Sequence, residues 1–150
     1  MPLIIYDPRQ PEKRRGRLLD TMALNLDLPS TFLDWAGIAI PASYQGASLK
    51  PVVEGETTLG GWRADFYCEH FNPRYAMSWE GVRGKRFKYA RYTDQEPNYE
   101  FLHDLENDPD ELVNIADNPE FESILKQLRK RTRDLAEAYA NKLPSHGFGA

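Results

Sequence analysis

The chain has 150 residues, 41% hydrophobic and 28% charged, with 19 Lys and Arg against 23 Asp and Glu for a net charge of -4. This length suits one domain that buries ~70% of its unfolded surface, and the balance excludes a collagenous chain, a chain too polar to collapse and a generally basic nucleic-acid binder. The single cysteine, Cys68, excludes an internal disulfide and a multi-thiolate metal site, and no apolar run approaches the ~20 residues that cross a bilayer.

In chain order, Pro2 to Tyr6 is a short apolar run without alternation, closed by Asp7-Pro8. It reads as a strand buried on both faces, as in the middle of a parallel sheet. Residues 9–17 form a basic loop with Arg9, Lys13, Arg14, Arg15 and Arg17; a solvated loop between two buried strands is favoured over a contact with an anion or polyanion. Met22 to Leu26 is a second strand candidate. Asp27-Leu28-Pro29-Ser30-Thr31 starts a helix, Leu28, Phe32, Leu33, Trp35 and Ala36 supply its apolar face, and Gly37 stops it. From Ile38 to Arg63, Pro41, Gly46, Pro51, Gly55, Gly60 and Gly61 punctuate a long connection, which places a subdomain boundary there.

Residues 64–71 then form an aromatic-rich strand. Met77–Arg83 and Arg86–Tyr92 read as a hairpin about a two-residue type II′ turn at Gly84-Lys85, and Tyr99–Leu102 as a fourth strand. Short loops between the strands point to an antiparallel sheet. Asp104, Glu106, Asp108 and Asp110 alternate as in a calcium loop, but Pro109 and Ile115 stand where that loop needs Gly and Glu, so the calcium reading fails. Asp108, Pro109 and Glu111 instead form a capping-box pattern opening a turn of helix. Asn118-Pro119-Glu120 opens the last helix, whose stripe of Phe121, Ile124, Leu125, Leu128, Leu135 and Tyr139 runs to about Asn141. Residues 94–125 hold no Lys or Arg, so the cations Arg129 to Arg133 are expected to be neutralised within the fold. The tail 144–150 is expected to be disordered.

No complete catalytic set emerges. His70, His103 and His146 are the histidines, and in Glu69-His70 and His103-Asp104 the two side chains point to opposite faces of a strand. Cys68 and His70 share a face, yet a cysteine among aromatics is more simply an inert small hydrophobe. The sequence contains no nucleophile elbow, HExxH, phosphate loop or dinucleotide fingerprint.

An ordered series of segments resembles the C-terminal portion of the sulfatases of the alkaline-phosphatase-like superfamily. The series is Pro2 to Pro8, Asn25 to Ile38, Tyr44 to Leu49, Trp62-Arg63, Tyr67 to His70, Gly81 to Arg83, Phe87 to Tyr89, Phe101 to Leu105 and Asp108 to Ala116. Among subgroups it is most similar to bacterial enzymes resembling the sulfoglucosamine and N-acetylglucosamine-6-sulfate sulfatases. The resemblance implies an α+β fold: a small antiparallel four-stranded sheet on a long C-terminal helix, preceded by a strand–helix piece of a larger α/β domain. It implies residues 1–61 as a remnant of the catalytic domain and connection, 62–143 as the C-terminal subdomain and 144–150 as a tail.

In that family the nucleophile is a formylglycine made from Cys or Ser in a Cys/Ser-x-Pro/Ala-x-Arg motif, and a calcium ion binds the sulfate. Cys68 is followed by Glu-His-Phe-Asn, so catalytic residues, formylglycine and calcium ligands are expected in an N-terminal part before Met1. The resemblance implies substrate contacts from the cleft edge, placed at Glu69, His70 and Arg74. Two readings follow. The chain is the C-terminal part of a sulfuric ester hydrolase for sulfated carbohydrate, inactive alone, its partner the N-terminal sulfatase domain, with apolar surface exposed on residues 2–40. Alternatively it is a stand-alone binding or assembly module that self-associates. Neither reading involves nucleic acid or a membrane. Relatives are commonly exported, which leaves the compartment open.

Overall fold

A computed structural model describes residues 3–55, 61–71, 73–75 and 77–140. The expected tail 144–150 with His146, together with Pro2 and Asn72, lies outside the described residues. The chain divides into two compact units, Met1–Arg63 and Ala64–Ala150.

The second unit is the expected α+β sandwich of sheet and helix. Strands β1 (Asp65–His70), β2 (Trp79–Gly84), β3 (Phe87–Tyr92) and β4 (Glu100–Asp104) form one antiparallel sheet in sequence order. Alternation sends Val82, Tyr89 and Leu102 to one face, where they are fully buried with Leu125 of α3 (Glu122–Ala140). Phe87, Ile115, Phe121, Ile124, Leu128 and Leu135 pack around this centre, so the stripe read from the sequence is the one that docks.

Helix α3 starts as its sequence dictates. Asn118 accepts a hydrogen bond from the Glu120 amide at 3.0 Å, and Pro119 opens a single 3₁₀ turn, Pro119–Phe121, that leads into the helix. Asn118→Ala is expected to cost about 1 kcal/mol by urea denaturation, and Asn118→Asp to cost almost nothing. The cations of α3 find acids within the fold: Arg129 pairs with Glu100 at 2.5 Å and Arg131 with Asp65 at 2.7 Å.

Two local expectations need correction. The β2–β3 connection is Lys85-Arg86, one residue later than read: Gly84 stays in β2 opposite Asp65 and has no positive φ, so it is not a type II′ turn residue. Arg86 is drawn to Asp104 at 2.8 Å. Residues 108–113 form no helical turn, because Glu111 adopts a left-handed φ of 57° and pairs with Lys88. Asp108 does cap, accepting from the amides of Leu112 and Val113 at 3.1 and 2.8 Å.

In the first unit, helix α1 (Asp27–Trp35) ends at Gly37, whose φ of 70° is the left-handed stop its sequence promised. A short helix, α2 (Lys50–Glu54), interrupts the long connection and was not anticipated. Residues 3–6 and 22–26 form no strand: all strand pairing among the described residues belongs to β1–β4. The carbonyls of Leu24 and Asn25 are instead used by the amides that enter α1. Apolar side chains here lie open to solvent, with Ile4 86% and Leu18 100% exposed.

The centre of the first unit is polar. Asp27 is fully buried, and its carboxylate accepts from Arg63 at 2.5 and 2.6 Å and from the amides of Leu24 and Ala47 at 2.7 and 2.9 Å. Thr31 and Ser30 extend the network to the Leu49 amide and the Gly46 carbonyl. Gly46 is required by contact: a Cβ there would sit 1.8 Å from the Leu26 carbonyl oxygen.

Candidate functional site

The candidate site is the end of the sheet where β1 finishes and β2 begins. Glu69 and His70 are the last residues of β1 and both are exposed, as is Arg74 in the short turn Pro73–Tyr75. Successive strand residues face opposite ways, and the register makes the consequence explicit.

Glu69 lies opposite Glu80, which lies opposite Arg91, on the face that carries α3. The Tyr67 hydroxyl sits 3.1 Å from Glu69 Oε2 and 2.9 Å from Glu80 Oε2, and Arg91 donates twice to Glu80 Oε1 at 2.8 and 2.5 Å. Burial, then the two carboxylates, push the Tyr67 phenol well above its ordinary range, so it remains a donor. Arg91 neutralises Glu80, and Glu69 keeps acceptor capacity toward solvent.

His70 belongs to the other face, its ring 6.3 Å from Trp79 and inclined by 27°. Trp79 lies opposite Tyr92, whose ring is 6.0 Å from Tyr99 and 6.1 Å from Phe101. A row of rings thus crosses all four strands at this end. Sequence reading did not single out Trp79, Tyr92 or Tyr99, because only the strand register aligns them. The Arg74 guanidinium stands 5.6 Å over the Tyr75 ring. The structure therefore puts Glu69, His70 and Arg74 at one end of the sheet but splits Glu69 and His70 between its faces, so they do not form an acid–base couple. Exposed donors, acceptors and aromatic faces in one neighbourhood are the chemistry that holds a polar ring bearing hydroxyl or anionic groups.

Cys68 does not fit a formylglycine precursor, and the described residues do not gather a calcium-binding set. Cys68 lacks the flanking Pro/Ala and Arg, and burial pushes its thiol up, with Arg83 and Lys88 only partly opposing. Asp104 accepts from Arg86, from Asn107 at 2.9 Å and from the Glu106 amide at 3.2 Å. The guanidinium beside it holds its carboxyl well below the usual carboxylate range. Among the described residues no three His, Cys, Asp or Glu side chains converge.

The family model described as N-sulphoglucosamine sulphohydrolase, C-terminal, matches residues 1–138. The N-acetylglucosamine-6-O-sulfatase of Bacteroides thetaiotaomicron is 32% identical over 148 residues, covering 96% of this chain and 26% of the relative. An arylsulfatase of Clostridium perfringens is 30% identical over 131 residues, 87% of this chain and 26% of the relative. A structure solved in complex with its substrate D-glucosamine-2-N,6-O-disulfate superposes with a TM-score of 0.69 at 30% identity, over 81% of this chain and 25% of that one. The chain spans about a quarter of the length of the curated relatives it matches.

Proposed function

The chain belongs to the family of sulfatase C-terminal regions described by N-sulphoglucosamine sulphohydrolase, and from that premise we propose that it completes a sulfatase acting on a sulfated sugar, without carrying the reaction itself. The observation that carries this reading is the sheet end where Glu69, His70 and Arg74 stand exposed beside the Trp79–Tyr92–Tyr99 row. In it, His70 and Trp79 offer a flat face to the sugar ring and Arg74 meets a sulfate or carboxylate, while Glu69, turned to the opposite face, accepts from hydroxyls of a sugar that reaches past the end of β1. Formylglycine would supply the nucleophile and calcium would bind the sulfate; Cys68 lacks the flanking residues of the first and the described residues gather no carboxylate set for the second, which supports assigning both to sequence outside this chain.

The test grafts this chain in place of the matching C-terminal region of the Bacteroides thetaiotaomicron relative. The chimaera is expected to hydrolyse a sulfated glucosamine, and His70→Ala or Arg74→Ala to raise KM roughly tenfold with kcat little changed. Unchanged KM in both variants of an active chimaera overturns the contact assignment. The chain by itself is expected to release no sulfate with calcium added, and release would overturn its non-catalytic role. A second reading, self-association of a stand-alone module, draws on the exposed Leu3, Ile4, Tyr6, Leu18 and Phe32. A clean dimer by sedimentation would favour it.

A further inference from the structure

We infer that β1 pairs antiparallel with β1 of a second copy of this chain, in the register that sets Cys68 opposite itself. The two edges of the sheet differ. At β4 the edge is closed: the Leu102 amide donates to Asn114 Oδ1 at 3.0 Å, and Asn114 Nδ2 donates to the Glu100 carbonyl at 3.0 Å. The Ile115 amide donates to the Leu102 carbonyl at 2.9 Å. Asn114 and Ile115 thus take the place of a fifth strand.

At β1 the edge is open. Among the described residues, the one ladder that β1 enters is with β2. The usual protection of an edge is missing as well. β1 contains no Pro, Lys or Arg, and its register with β2 runs unbroken from Asp65 to His70. Of its two acids, Asp65 is turned to α3 and held by Arg131 at 2.7 Å. An unbroken edge of this kind is a template for one more strand.

Charge selects the strand. A two-fold axis normal to the sheet keeps the faces of both copies together, so residues opposite each other share a face and the axis passes through one residue position. Centring it on Tyr67 or Cys68 keeps five of the six residues of β1 in the new ladder. About Tyr67, Asp65 meets Glu69 twice, like charge against like. About Cys68 no like charges meet: Phe66 lies opposite His70 and Tyr67 opposite Glu69, each twice. The run Phe66 to His70 is therefore complementary to its own reverse, which is the property of a strand that pairs with a second copy of itself. Phe66 shares the face of His70 and Trp79, so Phe66 of the second copy extends the ring row of the candidate site beyond β1.

The test is sedimentation of the 150-residue chain, joined to oxidative cross-linking with copper phenanthroline. The parent is expected to pass from monomer to dimer as loading rises. Oxidation is expected to link two chains through Cys68, because Cβ atoms directly opposite across a ladder lie ~4.5–5.5 Å apart, within reach of a disulfide after a small shift. Cys68→Ser should keep the dimer and lose the link. Cys68→Asp sets like charges at the axis, while Arg83 and Lys88, which lie near Cys68 in its own copy, steady the new carboxylate. It is expected to raise the dimer Kd roughly tenfold, with circular dichroism and Tm matched to the parent to establish folding. A parent that stays monomeric overturns the proposal, and so does a dimer that oxidation does not link, a readout that needs no variant to fold. A linked dimer whose Kd a folded Cys68→Asp variant leaves unchanged overturns it too. The chimaera is expected to dimerise in the same way, and a monomeric chimaera overturns the proposal by giving the β1 edge to the rest of the sulfatase. Hydrolysis is not read in these measurements, so their failure is distinguishable from an unchanged KM.

Discussion

Replacing Asp27 by Ala is expected to destabilise the first unit by about 3–5 kcal/mol, the usual cost of removing one partner of a buried ion pair. The magnitude comes from what is left behind. Arg63 keeps its charge in a site where its side chain is only 18% exposed, and the amides of Leu24 and Ala47 lose their acceptor. Asp27→Asn keeps the volume but turns one acceptor into a donor facing Arg63, so it should lie close behind.

The same carboxylate gives the unit an acid limit. Burial acts to raise the Asp27 carboxyl, but the Arg63 guanidinium and the two amides outweigh it and the net shift is downward. Its unfolded value is ~3.9. The stabilisation is therefore complete above about pH 4 and is lost as pH falls through the lower, folded value. Hydrogen exchange of the α1 amides across this range measures both effects. A loss below about 1 kcal/mol in the Ala variant would mean that the pair is solvated like a surface bridge.

Leu102→Ala is expected to cost the second unit about 2–5 kcal/mol, because a fully buried side chain leaves a cavity between Val82, Tyr89 and Leu125. Leu112→Ala is its control. That leucine is 80% exposed, and its truncation should stay within about 0.5 kcal/mol. Urea denaturation of both variants checks the contrast, and a small effect at Leu102 would show that the neighbours collapse into the space.

These contrasts mark where sequence reading succeeds and where it stops. The hairpins and α3 were readable because alternation and the 3.6 period are local signals, and because Asn118-Pro119 is a self-contained start. Pro2 to Tyr6 and Met22 to Leu26 were read as strands from composition, but a strand also needs a partner ladder, and α1 claims the carbonyls of the second. The Gly84-Lys85 turn failed by one residue because register is set by cross-strand packing, to which Gly84 contributes a ladder position. At the candidate site, the opposed directions of Glu69 and His70 followed from period two alone. The ring row did not, since Trp79, Tyr92 and Tyr99 are scattered in sequence and meet only through the register. Asp27 and Arg63 are 36 positions apart, and nothing local ties one to the other.

The two arginines that α3 sends to the sheet have a geometrical consequence beyond charge neutralisation. Arg129 reaches β4 and Arg131 reaches β1, the two outer strands, and side chains two positions apart on a helix point ~200° around its axis. At their exposure neither pair contributes much strength. Together they act as opposed guy-lines: rolling the helix toward one edge slackens one contact and pulls the other apart. A slip along the axis by one turn, ~5.4 Å, carries both out of reach. The apolar stripe holds the helix down, and these tethers select the single azimuth and register at which it comes to rest.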